Sequence, residues 1–368
     1  MLSISQSAST RDACRRGITQ IWFQNAELQR VQAVAWVGYR VACVIGVTDF
    51  QETTCIQDVD DPVRGGINML FHKAEGFDRF QVVGHGRIEV NGHAKRGSPF
   101  DGYEVDHEKL LLVDGKVPLT HWPVTANFGD ALSPWLFQQI TGKETLQNAG
   151  EIPTYIAVGS ILNRVRNQTI VWGPGSFGPE PPRQINNRAT YHAVRGPLTR
   201  SRVLDRGGKC PRIYGDPALL TPVFHKTKVE KTHEIGLVLR WSDKDWLKRP
   251  VGDGVRLIDL GTDDVESVLD DMLACKRIIT SSLHGLVIAD AYDIPSAWLY
   301  SDSPKGREFK FYDYFLSVGK VRHSTHADLS TMPLELEELD ATFDFDARAI
   351  DFDYAALVGA CPLLRKKG

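Results

Sequence analysis

The chain has 368 residues, 42% of them hydrophobic and 24% charged, with 43 Lys and Arg against 46 Asp and Glu and a formal net charge of −3. That length suits two domains of ordinary size plus an appendage, and the apolar fraction is enough to build real cores. With no excess of basic residues to neutralise a phosphate backbone, the balance excludes a nucleic-acid binder, so any anion site must be local.

The six cysteines, at 14, 43, 55, 210, 275 and 361, form no C-x-x-C pair and have no histidines at matching spacing. They read as reduced core thiols, and neither a zinc site, another metal site nor a disulfide framework is expected. Residues 31–47 are the most apolar stretch, but Arg40 interrupts them and they are too short to span a bilayer. No apolar h-region stands near residue 1, so no signal peptide is expected and the location is read as cytoplasmic.

Residues 1–115 read as a small α+β extension. A helix is expected over 11–30 and a buried strand or two over 34–47. Hairpin turns are expected at Asn91-Gly92 and Asp114-Gly115, each flanked by β-type residues.

From Val117 the pattern changes to alternating strands and helices. The strand expected over 117–122 leads to Asn127-Phe128-Gly129-Asp130, and Pro134 suits the first turn of a helix running to Ile140. Short β runs then end in Gly159-Ser160, in Gly173-Pro174-Gly175-Ser176, in Arg195-Gly196-Pro197 and in Gly215-Asp216-Pro217. Such regular punctuation is what a parallel sheet with crossover helices produces. The polar segment 221–233 reads as a linker, after which strands at 235–239 and 255–260 and a helix at 264–274 repeat the pattern.

Lys276 to Tyr300 reads as strand, tight polar turn, short helix and strand. Thr280, Ser281 and Ser282 are N-cap candidates, and Gly285 allows a close backbone approach. His284 then stands at a helix N-terminus on a sheet edge, where orphan N–H groups favour an anion. A histidine there either caps the turn or titrates within a ligand site. The fold class expected is α/β, two Rossmann-like halves (116–225 and 234–368) facing a cleft, behind the extension 1–115.

The run Ser281-Ser282-Leu283-His284-Gly285-Leu286, with Ala291-Tyr292, Ile294-Pro295 and Lys310-Phe311-Tyr312-Asp313-Tyr314, resembles the signature of the polysaccharide pyruvyl transferase family. The resemblance extends to Asn127-Phe128-Gly129-Asp130, to Arg195-Gly196-Pro197 and to Gly215-Asp216-Pro217, but does not cover the first 115 residues. It implies a GT-B-like fold and transfer of pyruvate from phosphoenolpyruvate to a sugar as a ketal, with phosphate released and no further cofactor.

On this resemblance His284 is the acid and Asp130 acts near the acceptor hydroxyl. Arg195 and Lys310 bind the donor, with Asn127, Gly129, Ser282 and Gly285 lining the site. Lys305 and Arg307 rival Lys310, and Asp216 is as well suited to bracing its loop as to touching ligand. Arg240-Trp241 departs from the Pro-His pair common in relatives. The implied acceptor is a saccharide, lipid-linked and so compatible with peripheral membrane association. The rival readings are a nucleotide-sugar glycosyltransferase on the same architecture and a glycan-binding protein without chemistry.

Overall fold

The computed structural model describes residues 98–368, except 149–150, 241–242, 244 and 302–307, and below residue 98 the backbone of five strands. The chain divides into two compact units, Met1–Arg96 and Gly97–Gly368. In the first, β1 (Phe23–Gln24) lies inside the segment expected to be helical. β2 (Val31–Val37) and β3 (Arg40–Val47) form an antiparallel pair over the apolar stretch, so two strands occupy it. β4 (Met69–Lys73) and β5 (Arg79–Gly84) join β1 in an antiparallel sheet of order β1-β5-β4. The Asn91-Gly92 turn lies outside the described residues.

The second unit starts before the boundary expected at 115. Its first strand, β6 (Tyr103–Val105), pairs antiparallel with residues 364–366 at the far end of the chain, and the Tyr155 hydroxyl accepts from the Leu111 N–H. These long-range bonds bind residues 98–115 to the body. The turn at Asp114-Gly115 has positive φ at both residues, 51° and 76°, and Val113 and Lys116 exchange both backbone hydrogen bonds across it, as the dipeptide predicts.

β7 (Val117–Leu119) begins a five-stranded sheet, completed by β8 (Thr145–Gln147), β9 (Thr154–Ile156), β10 (Thr169–Trp172) and β11 (Thr190–Ala193). Its order is β11-β10-β9-β7-β8 and every pairing is parallel. α1 (Phe128–Thr141) follows β7. It starts six residues before Pro134, which therefore sits in its interior. Asn127 starts the helix by accepting from the Gly129 N–H, and Phe128 donates to the Leu260 carbonyl; these two tethers outweigh the preference of proline for a first turn. Phe128 is fully buried, and its truncation to alanine would cost about 3–5 kcal/mol.

α2 (Pro197–Leu204) and α3 (Thr221–Phe224) lead to a second parallel sheet. Thr221 is buried, so the expected linker begins inside the fold. The sheet contains β12 (His233–Leu239), β13 (Val255–Asp259), β14 (Cys275–Thr280) and β15 (Ser296–Trp298), in the order β13-β12-β14-β15. α4 (Val265–Leu273) and α5 (Leu283–Ala291) flank β14 in sequence. α6 (Phe309–Ser317), α7 (Leu336–Thr342), α8 (Tyr354–Gly359) and β16 (Leu364–Lys366) complete the chain.

The fold is mixed α/β with parallel sheets. The segments 116–225 and 234–368 share one continuous core, in which Leu119, Phe128 and Trp172 join the same apolar cluster as Val238, Ile258, Leu286 and Leu357. The C-terminal segment closes this core: the Trp172 indole N–H donates to the Leu357 carbonyl at 3.0 Å, and β16 reaches back to β6. Among the described residues no helix is long and apolar enough to cross a membrane.

Candidate active site

In parallel sheets, ligands gather at the carboxyl ends of the strands where the chain reverses its direction of build-up. The first sheet grows from β7 outward in both directions, and the second from β12, with β13 on one side and β14 on the other. The reversals fall between β7 and β9 and between β12 and β14. Asn127 to Asp130 follow β7 and Gly159-Ser160 follow β9, while Arg240 follows β12 and Ser281 to His284 follow β14.

The two groups meet at α1. The Asn127 N–H donates to Asp263 Oδ1 at 3.2 Å, and the Phe128 N–H to the Leu260 carbonyl at 2.9 Å. Both acceptors lie in the loop after β13, so the helix start is pinned to the second sheet. Gly129 faces the ring of His284 so closely that a Cβ there would overlap Nδ1, which explains a glycine two residues after the cap. Asn127 serves twice, since its Nδ2 also donates to Asp130 Oδ2 at 2.6 Å.

Burial raises the Asp130 carboxyl to about 6, against the opposing effects of His284, the Asn127 hydrogen bond and Arg164. A carboxylate poised near 6 is mostly ionised at neutral pH yet basic enough to take a proton.

His284 is the second residue of α5, whose N-cap is Ser282. Its Nε2 lies 3.7 Å from Asp216 Oδ2, and both atoms are buried with no hydrogen-bond partner. Buried polar atoms are ordinarily paired, so two orphans facing each other mark a place where a proton or a ligand group is expected to matter. The other oxygen of Asp216 is committed, accepting from the Ala218 N–H at 3.0 Å. Asp216 thus braces its loop with one oxygen and faces the imidazole with the other.

Ser282 and Gly285 hold the turn. The Ser282 N–H donates to Thr280 Oγ1 at 3.0 Å, and a Cβ at Gly285 would strike that same threonine. The close approach that Gly285 permits in the structure is to Thr280.

Lys310, the second residue of α6, lines a small pocket with Arg240, Ser281, Trp298, Tyr300 and Glu308. Among the described residues its Nζ has no hydrogen bond or ion pair. Burial and the nearby charges of Arg240 and Arg195 lower it to about 8, with Asp243 opposing. Arg240 is held by Asp243 Oδ1 at 2.9 Å while its Nε is buried without a partner, and the Ser281 hydroxyl donates to Asp243 Oδ2 at 2.9 Å. Two cations with unused donors thus stand at the reversal point of the second sheet, around a cavity of about 10 Å³ that also has Glu308 in its lining. Lys305 and Arg307 lie outside the described residues, as does Trp241.

Arg195 does something other than expected. It is fully buried, and its Nε donates to Asp313 Oδ2 at 3.0 Å, one terminal nitrogen to Ser160 Oγ at 2.6 Å and the other to the Ser176 carbonyl at 2.7 Å. Thr199 completes the cage of Asp313 with its N–H at 2.8 Å and its hydroxyl at 2.6 Å. Gly175 lies flat against the guanidinium, leaving no room for a Cβ. The arginine expected to grip the donor is here an internal bracket.

Sequence reasoning met Arg240 only as a departure from relatives and Ser281 only as a cap candidate, passed over Arg164 and left Asp216 undecided. The first two were legible in principle, as the residues that end the apolar runs of β12 and β14. Among the described residues no group of three or more His, Cys, Asp or Glu side chains is arranged to hold a metal.

Residues 127–303 match the family model described as polysaccharide pyruvyl transferase. The chain is 28% identical over 241 residues to uncharacterized protein L143 of Acanthamoeba polyphaga mimivirus, covering 61% of this chain and 83% of that protein. It is 26% identical over 221 residues to succinoglycan biosynthesis protein ExoV of Rhizobium meliloti (strain 1021), covering 56% of this chain and 66% of that protein. No solved structure matches the chain.

Proposed function

We propose, from the premise that the chain belongs to the polysaccharide pyruvyl transferase family through residues 127–303, that it moves pyruvate from phosphoenolpyruvate onto a saccharide as a ketal. The observation that carries this reading is His284 packed against the Asn127–Asp130 loop, three residues after Ser281 in the lining of the Arg240 and Lys310 pocket. The likeness to a succinoglycan biosynthesis protein supports a polysaccharide acceptor. In this reading the two parallel sheets form a GT-B-like pair with their carboxyl ends toward the ligands.

The donor carries a carboxylate and a phosphate, and the unused donors of Arg240 and Lys310 suit one of them. The N-terminus of α5 suits the other. His284 gives a proton to the methylene carbon, whose double-bond electrons form the new C–H bond, and C2 takes one acceptor oxygen. A second hydroxyl oxygen then bonds C2 as the bond from C2 to the phosphate oxygen breaks. Of the two hydroxyl protons, one replaces the proton used to make the methyl group and the other departs on phosphate. Asp130, near 6, accepts from the acceptor, and Asp216 steadies the imidazolium. Arg195 acts through Asp313, as a positioning residue.

The donor is an expectation of the family resemblance. Incubation with phosphoenolpyruvate and candidate glycans should release inorganic phosphate and add a carboxyethylidene group to the glycan. Turnover of a sugar nucleotide with release of nucleoside diphosphate, and none with phosphoenolpyruvate, would establish the glycosyltransferase reading instead.

A further inference from the structure

Arg164 belongs to two places at once. Its charge is within electrostatic reach of Asp130, and its side chain lines a second, more open pocket of about 560 Å³ with Asn163, Arg166, Arg183, Gln184 and Asn186. The pocket is built by the two crossovers that run from β9 to β10 and from β10 to β11, through the single turns Leu162–Arg164 and Pro182–Gln184; Arg164 lies on the side of Asp130, whereas Arg166 stands three residues before β10 and Asn186 four before β11. They are internally fastened. Arg166 donates to the Asn163 carbonyl at 3.0 Å, and Asn186 donates to Asn167 Oδ1 at 2.9 Å while accepting from the N–H groups of Arg188 and Ala189.

The lining contains three guanidinium groups and no carboxylate, in a chain whose formal net charge is −3. Among the described residues none of the three arginines makes a salt bridge. Arg164 stacks on Trp122, with its guanidinium carbon 4.3 Å from the ring centroid. Its own charge is disfavoured by burial and by Arg166 and favoured by Asp130. Apart from Asp130 beside Arg164, no acidic group faces these guanidiniums in the lining, and an anion among them would meet their unused donors.

We infer that this pocket binds an anionic group of the acceptor, a phosphate diester or diphosphate or a sugar carboxylate, while the hydroxyls to be modified lie toward Asp130. The inference rests on the acceptor role given to Asp130. It assigns acceptor and donor anions to different sheets, the acceptor's to the arginines after β9 and β10 and the donor's to Arg240 and Lys310. Arg164 bridges pocket and carboxylate, and Trp122 beneath it offers a face for a sugar ring.

The test uses the full chain without donor and three probes: glucose linked through a diphosphate to geraniol, a disaccharide containing glucuronic acid, and the same disaccharide with neutral glucose. Affinities are measured by calorimetry at two salt concentrations for the wild type, Arg166→Gln, Arg183→Gln and the double variant. Both arginines are exposed and outside the catalytic cluster, so the fold and phosphoenolpyruvate affinity should be unchanged. One anionic probe should bind at least roughly tenfold more tightly than the neutral one, lose up to about tenfold per arginine removed, and weaken as salt is raised. Which probe gains identifies the source of the anion. Equal affinity for all three probes, or an advantage that survives in the double variant, would overturn the inference. Arginine-dependent binding of an anionic probe by a protein that ignores phosphoenolpyruvate would support the pocket and refute the donor reading alone.

Discussion

Asp130→Asn tests the site through stability as well as rate. The folded protein holds the Asp130 proton up to about 6, whereas the ordinary carboxyl releases it at 3.8, chiefly because burial disfavours the charge. Between those values the folded state binds more protons than the unfolded one, so stability contributed by the neutral carboxyl is present below about 4 and is lost as pH rises through 6. The gap corresponds to about 3 kcal/mol of destabilisation at neutral pH. An asparagine carries no charge, fills nearly the same volume and can still accept from Asn127. At pH 7.5 the variant should therefore be more stable than wild type by up to about 3 kcal/mol, with the curves meeting below about pH 4. Denaturant melts at pH 4, 5.5 and 7.5 measure this. Turnover should fall by roughly 10²–10⁴, the range for a lost general base. A variant less stable than wild type at pH 7.5, or a stability difference that does not change with pH, would refute the burial argument; full turnover would refute the base.

Lys310→Met should remove most of the donor affinity, and in wild type that affinity should decline as pH rises through about 8, where the lysine loses its charge; titrations from pH 6.5 to 9.5 check both. Gly129→Ala should push the His284 ring aside, lowering kcat far more than donor affinity and costing about 1–3 kcal/mol, read from steady-state kinetics and melts. Arg195→Ala should destabilise by about 3–5 kcal/mol because Asp313 is left buried and unpaired, and Arg195→Lys should regain only part of it; an unchanged melting temperature in both would contradict the bracket.

The features that rest on neighbouring residues were readable from the sequence. The punctuated β runs gave the parallel strands, Asp114-Gly115 gave a turn with two positive φ values, and the polar run 280–282 placed His284 at a helix start. What escaped depends on partners far along the chain. Arg195 looks like any strand-tip arginine until Asp313, 118 residues on, supplies its carboxylate. Asp216 acquires meaning only beside His284, and Pro134 is tolerated in mid-helix because Asn127, Leu260 and Asp263 fix the start of α1 earlier. The shared core could not be read from local alternation either, because residues 350–366 return to the first sheet after the second is complete.

The bracket places a buried ion pair on the same helix as Lys310. Asp313 lies three residues after Lys310 on α6, so fixing its carboxylate fixes the roll of the helix and the face from which Lys310 emerges. Arg195 and Thr199 do this from the first sheet with three hydrogen bonds to one carboxylate, through elements whose positions Ser160 and Ser176 also set. The same guanidinium is close enough to lower Lys310, alongside Arg240, so one arginine both orients the lysine and sharpens its appetite for an anion. Had Arg195 been free to hold the donor itself, Asp313 would have been a buried charge without a partner and α6 would have lost its anchor to the first sheet. The geometry gives Arg195 to the ordering of α6, while Lys310 and the Nε of Arg240 keep donors that the proposed reading assigns to the donor anion.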